Sequence, residues 1–125
     1  MPRVRWGHAL GAEGRAYPRR VIRFLEPCLL QLLREDASHG YDLLDALGQF
    51  GFAPGTLDTS VVYRQLRDME NSGWVTSQWD TEGSGPPRRV YTVTAQGEQH
   101  LAVWINDLRR TRDELDQFLT LYDTK

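Results

Sequence analysis

The spacing of the apolar residues changes twice along this chain, and these changes restrict the fold more than any other feature. Before Gly73 the apolar residues recur every three to four positions, as on one face of a helix. From Val75 to Thr94 they alternate with polar residues, which is the period of a strand. After Thr94 the helical spacing returns and continues almost to the C-terminus. The sequence therefore predicts helices, then a two-stranded hairpin, then one long helix.

Two helices are predicted in the first half of the chain. The main part of the first spans residues 27–35, with Pro27 in the first turn, where its missing N–H costs nothing. Ser38 is predicted to cap a second helix, which ends at Gly51. His39, at the start of this second helix, either presents its imidazole to a phosphate or merely fills the first turn.

A third predicted helix has two contrasting faces. Asp58 or Thr59 caps it and Gly73 ends it. Its buried side is formed by Val62, Leu66 and Met69. The opposite side carries the hydroxyl and guanidinium groups of Ser60, Tyr63, Arg64 and Arg67. Such groups bond to base edges and phosphates, so this face suits DNA. Taken alone, this face is more typical of a solvated helix surface, but the surrounding helix-turn-helix favours the DNA-binding interpretation.

The hairpin that follows the third helix has a basic tip. Its two strands are separated by a segment rich in glycine and proline, residues 80–88. Arg88 and Arg89 are adjacent there, and either arginine can contact the phosphate backbone or the minor groove. A polar hairpin with two incidental arginines is the alternative interpretation.

The final helix is predicted to dimerise. Thr94 caps it, and its apolar residues alternate at intervals of three and four, the seam of a coiled coil. The seam has one polar position, Thr111, and otherwise consists of Leu101, Trp104, Leu108, Leu115, Phe118 and Tyr122.

Helix, helix, turn, helix and hairpin is the element order of a winged helix-turn-helix, so the predicted class is mainly α (α+β). The 125 residues divide into a flexible basic arm over residues 1–20, a winged helix-turn-helix domain over 21–94 and a dimerisation helix over 95–125. The formal net charge is −2, but six arginines lie in the first 23 residues. DNA binding depends on where charges lie more than on their sum.

Several other classes of protein are disfavoured. Cys28 is the only cysteine, which excludes an internal disulfide and leaves too few thiols for a zinc site. The sequence has no run long enough to span a membrane, no signal peptide and no glycine-rich phosphate loop. We therefore expect a cytoplasmic protein that is not an enzyme and holds no cofactor or metal.

The chain resembles the PadR family of transcriptional regulators, in the short form with a single C-terminal helix. The resemblance is carried by residues 29–33, 38–44, 62–75 and 85–97. It implies a homodimer in which the final helix packs on the partner's first helix, and in which two recognition helices read a palindromic DNA operator. Residues 57–60 depart from the pattern, so Thr59 and Ser60 are either additional contacts or a longer cap.

The resemblance also implies a repressor that a small effector releases, for example a phenolic or hydrophobic molecule. The predicted DNA-binding residues are His39, Tyr41, Thr59, Ser60, Tyr63, Arg64, Arg67, Arg88 and Arg89. The predicted dimer contacts are Leu101, Trp104, Leu108, Leu115, Phe118 and Tyr122. Cys28, Trp104 and Leu108 are predicted to line the effector pocket, or else Trp104 and Leu108 are simply dimer core. The alternative function is a winged-helix protein-interaction module that does not bind DNA.

Overall fold

The computed structural model describes residues 19–52 and 57–125, and within the first helix it describes side chains from Phe24 onward. Most of the predicted N-terminal arm lies outside the described residues. The elements, in chain order, are α1 (Arg19–Glu35), β1 (Ser38–His39), α2 (Gly40–Ala46), a 3-10 turn (Leu47–Phe50), α3 (Thr59–Asn71), β2 (Val75–Asp80), β3 (Arg88–Val93) and α4 (Ala95–Asp123). This arrangement confirms the predicted winged helix-turn-helix with a long C-terminal helix.

The first helix begins earlier than the sequence predicts. It starts at Arg19, so Pro27 lies in its interior, and the predicted first-turn position of Pro27 is wrong. An interior proline removes one helical hydrogen bond. Its neighbours Leu25, Cys28 and Leu29 are at most 3% exposed, and Pro27 itself is buried. Burial of this apolar stripe therefore outweighs the cost of the missing hydrogen bond.

Ser38 does not cap the second helix, which corrects a second prediction. Ser38 and His39 form β1, which pairs antiparallel with β3 and makes a three-stranded sheet in the order β1-β3-β2. His39 occupies the N-cap of α2, but its side chain makes no capping hydrogen bond to the backbone N–H groups of the first turn. Gly51 ends the 3-10 turn at a φ of 90°, as predicted for a residue that must adopt the left-handed conformation.

The boundaries of α3 agree with the prediction. The Asp58 carboxylate caps the helix by accepting a hydrogen bond of 3.0 Å from the backbone N–H of Val61. Gly73 follows the helix at a φ of 85°. The predicted buried side is confirmed, because its three members are completely buried: Val62, Leu66 and Met69. The opposite side of α3 is thereby directed away from the core.

The fourth helix packs on the rest of the described protomer through its first half. The Thr94 hydroxyl accepts from the Gly97 N–H and donates to the Gly73 carbonyl. At Gly97 a Cβ would overlap the carbonyl oxygen of Trp74, so the helix approaches the end of the α3–β2 turn closely. From residue 111 to residue 125 every side chain is exposed. Within the described residues, no helix is long and apolar enough to cross a membrane.

A carboxylate joins three of the helices. Glu26 of α1 accepts a hydrogen bond of 2.6 Å from the Trp104 indole N–H, and the His100 Nε2 atom lies 2.8 Å from the same oxygen. Its second oxygen accepts from the Gln65 amide of α3 at 3.4 Å. The His100 ring also stacks on Trp74, with centroids 3.6 Å apart. Glu26 thus connects α1 to both α3 and α4.

Candidate nucleic-acid interface

The outer face of α3 presents two exposed arginines, Arg64 and Arg67. Among the residues that the structure describes, neither forms an ion pair. Ser60 is exposed as well, but its hydroxyl donates to the Asp58 carboxylate at 2.7 Å. Thr59 is half-buried at the first position of the helix. The two guanidinium groups are therefore the principal donors on this face.

Tyr63 is placed differently from its neighbours on α3. Its side chain is half-buried, and its ring lies against Gly40 at the start of α2. A Cβ at Gly40 would overlap the ring, with Cζ as the nearest atom. Tyr63 thus holds α2 against α3 and contributes only part of its surface to the outer face.

An open cleft of about 860 Å³ lies between the α2–α3 unit and the wing, by which we mean β2, β3 and their connecting residues 81–87. Its lining consists of His39, Tyr41, Asp42, Tyr63, Arg67, Glu70, Trp79, Pro86, Pro87, Arg88, Arg89 and Tyr91. The structure therefore brings six of the predicted DNA-binding residues together around one cleft. The other three lie outside its lining, on α3: Thr59, Ser60 and Arg64.

Arg88 connects the wing to the start of α2. Its Nη1 atom lies 2.8 Å from His39 Nε2, and that nitrogen is also 3.1 Å from a carboxylate oxygen of Asp42. The other ring nitrogen of His39 is buried and has no hydrogen-bond partner among the described residues. One ring nitrogen cannot accept from Arg88 and donate to Asp42 at the same time, so the tautomer of His39 determines which of these two contacts is a hydrogen bond.

Arg89 is held by the wing and α3. Its Nε donates to the Ser77 hydroxyl at 3.0 Å, and that hydroxyl donates to the Glu70 carboxylate at 2.8 Å. The Arg89 guanidinium carbon lies 4.9 Å from the centroid of the Trp79 ring. Sequence reasoning missed Ser77, Glu70 and Trp79 as members of the site. The alternation of strand residues would have placed Trp79 beside Arg89, but no sequence signal links either residue to Glu70.

The charges in the cleft are mixed. Three arginines face two carboxylates, those of Asp42 and Glu70. Burial raises the pKa of Tyr91, Arg89 lowers it, and Glu70 raises it further. Tyr91 therefore remains a neutral phenol at physiological pH. Within the described residues, no cluster of three histidine, cysteine or acidic side chains is positioned to hold a metal ion.

The predicted dimer contacts fall into three groups along α4. Leu101 is only 4% exposed and packs in the protomer's own core. Trp104 and Leu108 are half-buried. The remaining three are exposed: Leu115, Phe118 and Tyr122. Of the predicted effector pocket, Cys28 is buried in the core, and burial raises the pKa of its thiol to about 12.

Comparison with known proteins places this arrangement among transcriptional regulators. The chain is 31% identical over 88 residues to the negative transcriptional regulator PadR of Bacillus subtilis, covering 67% of this chain and 46% of that protein. It is 33% identical over 106 residues to a probable transcriptional regulator of Mycobacterium tuberculosis, covering 81% of this chain and 54% of that protein. It thus spans about half the length of these curated relatives.

A solved structure and a family model extend the comparison. The crystal structure of Bacillus subtilis PadR in complex with operator DNA matches with a TM-score of 0.58 and 30% identity, over 67% of this chain and 48% of that one. The model of the transcriptional regulator PadR-like family matches residues 29–103, from the middle of α1 into α4. The chain therefore belongs to the PadR-like family of transcriptional regulators.

Proposed function

We propose that this protein binds a palindromic DNA operator in the cytoplasm as a homodimer and represses transcription from it. In each protomer α3 enters the major groove, and the wing contacts the backbone beside it. The observation that carries this proposal is the outer face of α3, where Arg64 and Arg67 are exposed beside the cleft. The Bacillus subtilis relative, whose structure includes operator DNA, supports it.

The contacts divide into two kinds. Arg64 is exposed on α3 outside the lining of the cleft, where it can donate to a guanine edge. Arg67 and Arg88 line the cleft, where they can neutralise phosphates of the strand that passes between α3 and the wing. Tyr41, 63% exposed on α2, extends the same surface.

The dimer is proposed to form through the outer half of α4. Leu115, Phe118 and Tyr122 are between 47% and 73% exposed, an apolar stripe that a monomer would leave in water. A second copy of this helix or the partner's α1 would cover it. The resulting two-fold symmetry places two α3 helices on one face, as a palindromic site requires.

Effector control is proposed at the inner half of α4. Trp104 and Leu108 are half-buried next to the apolar stripe, where a phenolic or other hydrophobic molecule would contact both α4 and the partner. Cys28 can join this pocket only if the core packing around it opens, since the residue is 3% exposed. Titration of a phenolic acid against the protein–DNA complex tests release.

Binding is best tested with the duplex that the wild-type protein enriches most from a randomised DNA library. Arg64→Ala is expected to weaken binding by about tenfold or more, because a bidentate contact to guanine is lost. Tyr63→Phe keeps the ring against Gly40 while it removes the hydroxyl, so it tests that group without disturbing α2. Arg109→Ala, on the exposed surface of α4, is the matched control for loss of an arginine. Wild-type affinity in the Arg64 variant would contradict the proposal.

A protein-interaction module without DNA binding is the second candidate. The exposed apolar stripe of α4 favours it, because the same surface can receive a different protein. The two functions differ in their dependence on salt. Phosphate contacts make the logarithm of affinity fall linearly with the logarithm of salt concentration. A titration at two ionic strengths that detects no salt-sensitive affinity for any duplex would favour the interaction module.

A further inference from the structure

Two exposed aromatic side chains border the cleft. Tyr41 on α2 is 63% exposed and Trp79 on β2 is 60% exposed. In the described part of the chain, the other large exposed apolar side chains all belong to α4. Exposed aromatic surface around a cleft that also contains arginines is typical of a binding surface. Sequence reasoning had assigned Tyr41 to DNA and had given Trp79 no role.

Trp79 is connected to α3 through two intervening side chains, Arg89 and Ser77. Trp79 and Arg89 are paired directly across β2 and β3, so their side chains lie on the same face of the wing. The Arg89 guanidinium covers one side of the indole, at 4.9 Å from the ring centroid. Ser77 holds Arg89, and Glu70 in the last turns of α3 holds Ser77. This series of contacts runs from the DNA-reading helix to the aromatic ring.

We propose that Trp79 is the wing's contact with the DNA backbone. In this proposal Arg89 is a positioning residue that orients the indole, and it does not itself bind a phosphate. The indole packs on a deoxyribose, and its N–H donates to a neighbouring phosphate oxygen. Arg88 is then the phosphate-binding cation of the wing. This inference rests on the proposed function and reassigns one of its residues.

The contacts of Arg89 support this assignment. Its Nε already donates to the Ser77 hydroxyl and its guanidinium lies over the Trp79 ring, so these two contacts restrict how far it can reach toward a phosphate. If it turned away, the Glu70 carboxylate, which accepts from the same Ser77 hydroxyl, would lose this neighbouring cation. The indole N–H has no such conflict, since Trp79 is largely exposed and lines the cleft.

The first experiment measures affinity and salt dependence for the enriched duplex described above. Trp79→Ala is expected to weaken binding about tenfold, with Trp79→Phe intermediate, because the sugar contact is lost while every cation remains. Ser77→Ala should also weaken binding although it removes no charge. The salt slope should be unchanged in all three variants. Thr76→Ala, exposed on the opposite face of β2, is the control and should bind as the wild type does.

The second experiment is a double-mutant cycle. If Arg89 acts through the ring, Arg89→Ala weakens binding in the wild type and has almost no further effect in the Trp79→Ala background. Additive losses, or a salt slope lowered by about 0.9 per phosphate in Arg89→Ala, would overturn the proposal. So would wild-type affinity in the Trp79 variants. A wild-type protein without salt-sensitive DNA binding would instead reject the proposed function, and this inference with it.

Discussion

Substitution of Gly40 by alanine tests whether the contact between α2 and α3 is as close as the structure indicates. Only Gly51 and Gly73 have positive φ angles among the described residues, so alanine fits the backbone at Gly40. The obstacle is space. A Cβ there would lie 2.7 Å from both Cε1 and Oη of Tyr63, whereas carbon atoms normally pack at about 3.5–4.0 Å. The ring or the helix must therefore retreat by about 1 Å.

Two opposing terms set the size of the effect. Alanine is favoured over glycine in a helix by about 0.5–1 kcal/mol, and less at its first residue, where Gly40 lies. Overpacking costs about 1–3 kcal/mol. The second term is larger, so we expect Gly40→Ala to lower the free energy of unfolding by about 1–2 kcal/mol. DNA affinity should fall as well, because displaced Tyr63 changes the surface of α3.

Urea denaturation of four proteins measures this effect: the wild type, Gly40→Ala, Tyr63→Ala and the double variant. The cost of the added methyl group should largely disappear when the ring is absent. Gly48→Ala is the matched control, because a Cβ there meets no atom within 4 Å, and its unfolding free energy should change by less than about 0.5 kcal/mol. The steric reasoning would be refuted if Gly40→Ala were as stable as the wild type. It would also be refuted if Gly40→Ala lowered the free energy of unfolding by the same amount in the Tyr63→Ala background.

Three further predictions concern charge, assembly and pH. Arg67→Ala should reduce the slope of log affinity against log salt by about 0.9 per protomer, whereas Arg109→Ala should not, as measured by anisotropy at several salt concentrations. Phe118→Asp should yield a monomeric mass in light scattering with unchanged helix content, because the side chain is 62% exposed in the protomer; a persistent dimer would place the interface elsewhere. Burial raises the pKa of Cys28 from 9.0 to about 12. Above about pH 9 the unfolded chain therefore loses the thiol proton that the folded protein keeps. The free energy of unfolding should consequently fall between pH 9 and pH 12. The contribution of Cys28 to this fall should be absent in the Cys28→Ala variant.

Periodicity predicted the elements that bury a regular stripe. The three buried residues of α3 and the caps at Asp58 and Thr94 emerge from local spacing and local hydrogen bonds, which the sequence contains in full. Ser38 shows where local reasoning ends. Its neighbourhood satisfies the rule for a helix cap, but pairing with Tyr91, more than fifty positions away, makes it a strand.

The candidate site was predictable in composition but only partly in geometry. Charge and position identified Arg64 and Arg67, which the structure leaves at the outer surface of α3. Three other predicted residues are engaged by a neighbour from another element: Arg88 by His39, Tyr63 by Gly40 and Arg89 by Trp79. A residue's type indicates what it can bind, whereas its competing partners within the protein emerge only from the tertiary fold.

The carboxylate of Glu26 has a mechanical consequence. The carboxylate contacts side chains of α3 and of α4 at the same time, so it couples the orientation of α4 to that of α3. A movement of α4 would therefore be transmitted to α3 through a single side chain. Glutamine at this position would preserve the shape but offer one acceptor oxygen where the carboxylate uses two. The hydrogen bonds that join α1 to both α3 and α4 could then not all form.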